Sequence, residues 1–138
     1  MRTCIIMQGL PGSGKSFRAR ALGGLVLSTN DFWGPTYAFD ATRLREAHEW
    51  NQERFRDAVR RGALRVVVDN TNMALWEAEP YASFARAYGY TVLVERPKTP
   101  WADDPVECAL RCSHGVPADR IAAMLARRED LSALETDL

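Results

Sequence analysis

Apolar residues along this chain gather in four short runs, separated by longer segments in which apolar positions recur at helical spacing. The runs cover residues 4–7, 25–27, 64–69 and 90–95. Short, largely β-branched runs of this kind predict buried strands. Strands that alternate with helices predict a parallel α/β sheet with right-handed crossovers. We therefore expect a three-layer fold whose short sheet has the strand order 2-3-1-4, counted along the chain.

Capping residues and breakers set the expected helix bounds in the first half of the chain. Residues 17–22 contain neither Pro nor Gly and can continue as a helix from the first strand. Asp40 is typical of an N-cap, and it predicts a long helix over 41–61 that Gly62 ends. The inner stripe of this helix is predicted to consist of four apolar residues: Leu44, Ala47, Phe55 and Ala58.

Prolines dominate the expected helix bounds in the second half. Asn72 is a candidate cap for the segment that follows the third strand, and Pro80 is expected to interrupt that segment. We predict a short turn and then a helix from Pro80 to about residue 88. Asp104 followed by Pro105 opens a helix to about residue 112, and Pro117 opens a last helix through about residue 128.

The octapeptide at residues 9–16, GLPGSGKS, directly follows the first predicted strand. It fits the phosphate-binding pattern G-x-x-x-x-G-K-[ST], and its context of strand before and helix after is the one that such a loop needs. Lys15 is suited to reach the β/γ-phosphates of ATP, and the Ser16 hydroxyl to hold Mg²⁺. The predicted nucleotide-binding residues of this loop are Gly9, Gly12, Ser13, Gly14, Lys15 and Ser16.

Polar residues also follow the second and third strands, at 28–31 and 69–72. Ligands of such sheets bind beyond the carboxyl ends of the strands, so these clusters should converge on the loop. Asp69 ends an apolar strand and is suited to orient Mg²⁺, with a helix or turn cap on the loop as the structural alternative. Asp31 is a candidate general base for an attacking hydroxyl, with turn capping as the structural alternative. We expect the acceptor to be contacted by four residues: Asn30, Asp31, Asn70 and Asn72.

The composition of the chain disfavours several classes of function. The chain has 138 residues with 18 basic and 18 acidic side chains, which disfavours a nonspecific basic coat for nucleic acid. No apolar stretch approaches the ~20 residues of a membrane span, and no signal peptide is visible, so a cytoplasmic location without membrane contact is expected. Cys108, Cys112 and His114 offer only three metal ligands, and helix packing is the favoured reading over zinc.

A segment rich in arginine, at about 102–128, is expected to form a small helical lid. Phosphoryl transfer needs positive charge over the moving group, often from a mobile segment. Arg111 lies on the first predicted lid helix and is the candidate for this catalytic and ATP-binding role. The segment also contains Arg120, Arg127 and Arg128, of which Arg120 and Arg128 are expected to be merely solvated. His48 is a candidate substrate contact, although helix packing is the simpler role.

In combination, these motifs resemble the P-loop kinase family that includes phage 5′-polynucleotide kinase, and most of all the kinase-like domain of ubiquitin-ligase-binding proteins. The resemblance covers residues 4 to 129 and implies ATP, Mg²⁺ and transfer of the γ-phosphoryl group to a 5′-hydroxyl of DNA or RNA. It rests, beyond the P-loop, on segments that recur in order: STNDF at 28–32, AHEWNQ at 47–52, VDNTN at 68–72, Trp76-Glu77 with Pro80-Tyr81, and HGVP at 114–117.

The resemblance also implies roles for single residues, and this chain departs from the family pattern at one of them. Arg111 falls where the lid arginine is expected, and Asp69 falls in the Asp-Asn-Thr-Asn motif. After the second strand the family has Ser-Thr-Asp-Asp, and the first acid is the expected base. That position is Asn30 here, and an amide cannot accept the proton at neutral pH. Asp31 would have to substitute. Leu110 and Cys112 also stand where related chains often have Arg and Asn.

Three functions remain open on the sequence. We expect one P-loop kinase domain over 1–138 that acts on a 5′-hydroxyl nucleic acid. The same chemistry on a nucleoside or another small alcohol is compatible with the balanced charge. A degenerate kinase that binds nucleotide without efficient turnover is favoured by Asn30. The oligomeric state is not predicted.

Overall fold

The computed structural model describes residues 1–137. Its centre is a sheet of four parallel strands, β1 (Thr3–Met7), β2 (Leu25–Leu27), β3 (Arg65–Val68) and β4 (Thr91–Glu95). The strands lie in the order β2-β3-β1-β4 and every neighbouring pair is parallel. The predicted fold class and strand order are confirmed.

Helices connect the strands and cover both faces of the sheet. Short 3-10 turns occupy Thr29–Trp33, Ala41–Arg43 and Ser132–Leu134. The α-helices are α1 (Lys15–Ala21), α2 (Leu44–Arg60), α3 (Leu75–Ala87), α4 (Pro105–Arg111) and α5 (Ala118–Ala126).

The alternation of side chains along β1 creates two cores, because successive residues of a strand point to opposite faces. Cys4 and Ile6 belong to the larger core, which α2 and α3 cover with Phe55, Tyr81 and a series of alanines. Ile5 and Met7 face the other side and pack against Ala19 of α1. The strand is therefore buried on both faces, which explains why it reads as an uninterrupted apolar run.

The predicted start of the long helix is partly wrong. Asp40 does act as a cap, and its carboxylate accepts hydrogen bonds from the N–H of Thr42 at 3.0 Å. The element that it caps is the 3-10 turn, however, and α2 begins only at Leu44. Leu44 was predicted to face the core but is 41% exposed, at the first position of α2.

The predicted interruption at Pro80 is also wrong. Pro80 lies inside α3, whose first turn begins five residues earlier at Leu75. The ring removes one backbone hydrogen bond near the helix start, and burial of Tyr81 and the alanines at 78, 82 and 85 holds the helix together. Asn72 does not cap this helix: the N-cap position is Ala74, whose N–H donates to Glu77 at 3.2 Å.

Two outer segments complete the molecule. Helices α4 and α5 pack together over a small apolar cluster that includes Leu10, Met73, Cys108 and Ile121. This is the segment that the sequence predicts as a lid.

The chain after α5 returns to the sheet. Leu131 and Leu134 are buried in the larger core, and Arg86 donates a hydrogen bond to the carbonyl of Leu134 at 2.6 Å. Thr136 then bonds both backbone polar groups of Val92 in β4: its N–H donates to the Val92 carbonyl, and its hydroxyl accepts from the Val92 N–H, each at 2.9 Å. The outer edge of β4 is thus covered at Val92.

Candidate active site

The P-loop leaves β1 and turns tightly into α1. Gly12 and Gly14 have φ values of +78° and +93°, a left-handed conformation that favours glycine. A Cβ atom on Gly12 would lie 2.0 Å from the carbonyl oxygen of Cys108, so this turn lies directly against α4. Because α1 begins at Lys15, the N–H groups of its first turn have no acceptor within the helix. A loop of this form can surround phosphate oxygens.

Two side chains from the segment between β4 and α4 hold the P-loop in this shape. Thr99 donates its hydroxyl hydrogen to the carbonyl of Ser13 at 2.7 Å, and the indole of Trp101 donates to the carbonyl of Gly12 at 3.1 Å. Ser13 in turn donates to the carbonyl of Leu10 at 2.6 Å. Neither Thr99 nor Trp101 was found from the sequence, since a contact across more than 85 residues leaves no local signal.

Lys15 and Asp69 form the central charged pair of the site. The Lys15 ammonium nitrogen lies 2.6 Å from Oδ1 of Asp69, and the two side chains are only 8% and 5% exposed. They come from α1 and from the end of β3, which are 54 residues apart in sequence. The structure therefore brings together two of the residues that the sequence predicts for phosphate and metal binding. Ser16, predicted as the second metal ligand, follows Lys15 in the first turn of α1 and is partly buried.

Asn70 and Asn72, which were predicted to contact the acceptor, form hydrogen bonds within the fold. Asn70 accepts the N–H of Thr29 on its side-chain oxygen at 2.9 Å, which joins the ends of β2 and β3. Asn72 is 1% exposed, has a φ of +48°, and donates its amide to the carbonyl of Met7 at 2.7 Å, which joins β3 to β1. Gln8 donates to the backbone carbonyl of Asn72 at 3.1 Å. A substrate contact from these residues stays a prediction.

The turn after β2 carries Asn30 and Asp31, which are both exposed. Asp31 forms an ion pair with Arg54 of α2 at 2.6 Å, and Arg54 also donates to the carbonyl of Ser28 at 2.8 Å. Asn51, one turn earlier on α2, accepts from the Arg54 guanidinium at 2.9 Å. Arg54 was missed by the sequence reasoning, although it lies just past the AHEWNQ segment. The candidate base is thus paired with a cation through one oxygen, while its side chain stays 52% exposed to solvent.

Arg111 does not reach the P-loop directly in this structure. Its guanidinium pairs with Glu107 at 2.8 Å and lies 3.6 Å from the ring centroid of Trp101, whose indole bonds the loop. Arg127 and Arg128, in contrast, form ion pairs with Glu77 and Asp103. Of the candidate lid arginines, Arg111 is the one that contacts a side chain holding the P-loop, and its catalytic role stays a prediction.

His48, Cys108 and His114 have environments that favour their neutral forms. Burial lowers the pKa of His114, and the positive charge of Lys15 lowers it further. Burial also lowers the pKa of His48, whose ring lies 3.5 Å from the Thr29 hydroxyl. Cys108 packs between α4 and α5, and burial raises the pKa of its thiol. Among residues 1–137, no group of three or more His, Cys, Asp or Glu side chains is arranged to hold a metal ion.

A P-loop that opens the first helix of a 2-3-1-4 parallel sheet, with its lysine facing a carboxylate at the end of the neighbouring strand, defines a P-loop kinase-like domain. The chain belongs to the family described as "AAA domain", whose sequence pattern matches residues 4–131. The resemblance predicted from the sequence is confirmed at this level.

Comparison with individual proteins agrees with the family. The chain is 42% identical over 128 residues to human NEDD4-binding protein 2, a match that covers 88% of this chain but only 7% of that relative. A chain from a Pnkp1/Rnl/Hen1 RNA repair complex superimposes with a TM-score of 0.66 at 16% identity, over 96% of this chain and 45% of its own. A gluconokinase from Sinorhizobium meliloti 1021 gives 0.62 at 16% identity, over 96% and 79%. These two structures show the fold alone.

In the described part of the chain, none of the helices combines the length and the apolar character that crossing a bilayer requires.

Proposed function

We propose that this chain is an ATP-dependent kinase that transfers the γ-phosphoryl group to the 5′-hydroxyl of a polynucleotide, either DNA or RNA. The observation that supports this most is the buried pair of Lys15 and Asp69 at the carboxyl edge of the sheet. The P-loop and the turn with Asn30 and Asp31 emerge at the same edge of the sheet. Charge stabilisation and an acceptor platform are the two things that phosphoryl transfer requires of a protein.

The residues of the P-loop are suited to bind a nucleoside triphosphate. Gly12 and Gly14 leave no side chain over the turn, and Lys15 provides the one cation of the loop. Ser16 and Asp69 supply a hydroxyl and a carboxylate, the oxygen ligands that Mg²⁺ prefers. When bound, ATP supplies the phosphoryl group and Mg²⁺ neutralises its developing charge.

Proton removal from the acceptor falls to Asp31 in this proposal. The bond from the γ-phosphorus to ADP breaks, a bond to the 5′-oxygen forms, and the hydroxyl proton moves to a carboxylate or to water. Asn30 cannot take that proton. Asp31 can, through its Oδ1, because the contact with Arg54 at 2.6 Å engages Oδ2. We expect slow turnover in the parent protein, because this carboxylate lies one position away from the expected base.

A second function is supported by the same turn. Because Asn30 replaces an expected acid and Asp31 is paired with Arg54, the chain is suited to bind nucleotide without efficient transfer. A small alcohol as acceptor is the third option, and the likeness to a gluconokinase shows that this fold accommodates such a role in another protein. The order of motifs shared with polynucleotide kinases favours the polynucleotide.

The test is single-turnover transfer of labelled phosphate from γ-labelled ATP. The acceptors are a 5′-hydroxyl DNA, a 5′-hydroxyl RNA, the matching 5′-phosphorylated strands as blocked controls, and a panel of nucleosides and gluconate. The expected result is label on the 5′-hydroxyl strands alone. Label on a nucleoside or on gluconate instead would replace the proposed acceptor, and ATP binding with no transfer to any acceptor would establish the nucleotide-binding module.

Variants of the turn after β2 test the assignment of the base. Asn30→Asp should increase transfer, and Asp31→Asn should lower it, because general-base assistance is worth about 10²–10⁴-fold. The double exchange should retain more activity than Asp31→Asn alone. An unchanged rate in Asp31→Asn would show that Asp31 has a structural role, as the partner of Arg54, and no part in the chemistry.

A further inference from the structure

A connected group of aromatic rings lies beside the candidate acceptor turn. Phe32 contacts Trp33 and Trp50 edge-on, with ring centroids 5.1 and 5.6 Å apart. Trp33 contacts Phe39 at 5.0 Å, and Phe39 stacks on Tyr37 at 5.9 Å with the two planes only 7° apart. We call the four outer rings of Phe32, Tyr37, Phe39 and Trp50 the aromatic surface. Trp33 is 5% exposed and anchors this surface from below.

The aromatic surface is open to solvent rather than part of a core. Phe39 is 47% exposed and Trp50 is 37% exposed, and neither belongs to the apolar clusters of the fold. Two guanidinium groups lie on the rings: Arg43 is 4.9 Å from the centroid of Phe32, and Arg54 is 4.1 Å from that of Trp50. Flat aromatic and guanidinium faces in one place are the groups on which unpaired nucleobases stack.

Continuity with the candidate site identifies what this surface would bind. The guanidinium of Arg54 contacts both Trp50 and the carboxylate of Asp31, the candidate base. At the far end, Tyr37 stacks on His114, with centroids 3.9 Å apart, in the loop between α4 and α5. The aromatic surface thus runs from Asp31, the candidate base for the acceptor hydroxyl, to the loop between α4 and α5. A chain attached to that hydroxyl would pass over it.

The charges around the surface are nearly balanced. Arg43 forms two hydrogen bonds with Glu46, at 3.0 and 2.8 Å, and Arg54 is paired with Asp31. Little cationic charge is therefore left for phosphates, and the contribution of counterion release should be small. Binding here would depend on stacking, which needs bases that are not already stacked in a duplex.

We infer that the aromatic surface binds the unpaired nucleobases next to the acceptor 5′-hydroxyl, so that the substrate is a single-stranded polynucleotide end. This inference rests on the proposed function for its occupant. The inference gives two predictions that do not follow from the P-loop. The bases contribute to the binding affinity although their sequence does not, and a 5′ end that is paired in a duplex binds weakly.

Binding without ATP tests the inference separately from catalysis. The probe is a 5′-hydroxyl oligothymidylate of eight nucleotides with a 3′ fluorophore, titrated with protein and followed by fluorescence anisotropy. We expect Trp50→Ala and Phe39→Ala each to raise Kd by about tenfold, the scale of one lost stacking contact. Trp50→Phe keeps a ring and should stay close to the parent. Trp76→Ala is the matched control, since Trp76 is 75% exposed on α3 and takes no part in the ring contacts of the aromatic surface.

Changes in the ligand test the same point on the unaltered protein, so that misfolding of a variant cannot decide the result. Abasic residues at the first three positions should raise Kd by about tenfold or more, and so should a complementary strand that pairs the 5′ end. A plot of the logarithm of the association constant against the logarithm of the salt concentration should have a shallow slope, because few phosphates are neutralised.

Each outcome is decisive. Equal Kd values for the parent, Trp50→Ala and Phe39→Ala, or for the normal and abasic strands, would overturn the inference even if the strand is phosphorylated. The same holds if Trp76→Ala weakens binding as much as Trp50→Ala. Base-dependent binding that the two variants abolish, without any phosphate transfer, would support the surface while removing the proposed kinase activity. Tight binding of a duplex end with a steep salt slope would also overturn it.

Discussion

The buried pair of Lys15 and Asp69 gives a prediction whose size can be worked out. At 2.6 Å, two unit charges attract by about 6 kcal/mol at an effective dielectric of 20. Desolvation costs several kcal/mol for each ion, so the intact pair contributes little net stability. Removal of one partner is different, because it leaves the other charge buried and unpaired. We expect Lys15→Met and Asp69→Asn each to lower the free energy of unfolding by about 3–5 kcal/mol.

The double variant provides the control for this reasoning. Lys15→Met combined with Asp69→Asn leaves no unpaired charge, and it should recover most of the loss of either single variant. Equilibrium unfolding in urea without nucleotide measures all four proteins, and comparison is valid where the m-value is unchanged. Additive losses in the double variant, with a coupling below about 0.5 kcal/mol, would refute the claim that the two charges depend on each other.

The two single variants, Lys15→Met and Asp69→Asn, should have opposite effects on the affinity for ATP. Lys15→Met should weaken ATP binding at least tenfold, about 1.4 kcal/mol, because the loop loses its cation. Without Mg²⁺, Asp69→Asn should bind ATP as tightly as the parent or more tightly, since a carboxylate that competes for Lys15 has gone. With Mg²⁺, its transfer rate should fall. Calorimetry on folded variants measures both affinities. Equal ATP affinity in Lys15→Met and the parent would contradict the P-loop assignment.

Three further predictions concern the segment over the P-loop. Arg111→Ala should lower kcat by about 10²-fold or more with little change in KM for ATP, while Arg120→Ala should leave kcat unchanged. The reverse pattern in steady-state kinetics would show that Arg111 is not the lid arginine. Gly12→Ala should lower the midpoint of thermal unfolding, because its new Cβ meets the Cys108 carbonyl at 2.0 Å and its φ is +78°; an unchanged midpoint would refute that packing. Burial lowers the pKa of His114 below the 6.5 of a free histidine, so the unfolded state binds its proton more readily. The free energy of unfolding should therefore fall as pH drops below about 6.5, by less in His114→Phe than in the parent.

The sheet and its site edge were predictable because they follow from local signals. Four apolar runs and the turns between them specify a parallel sheet, and the carboxyl ends of its strands meet at one edge. This was sufficient to bring Lys15 and Asp69 to the same region. Their direct contact at 2.6 Å was not predicted, because it depends on how far α1 lies from the end of β3.

The remaining features depend on contacts between distant parts of the chain. Pro80 was expected to break a helix on its local penalty, but the burial of Tyr81 and its alanine neighbours overrides that penalty. Trp101 and Arg54 carry no pattern of their own, and each acquires a role only from the element that faces it. The aromatic surface likewise joins a 3-10 turn, a loop and α2, which no periodicity connects.

The hydrogen bonds of Thr136 with Val92 set a limit on where this unit can be cut. The family match ends at residue 131, before Leu134 and Thr136. A fragment trimmed to that boundary would lose a buried leucine from the larger core and uncover the outer edge of β4. Uncovered edge strands recruit other chains. Such a fragment would precipitate or self-associate during purification, and its lack of activity would then say nothing about the proposed phosphoryl transfer.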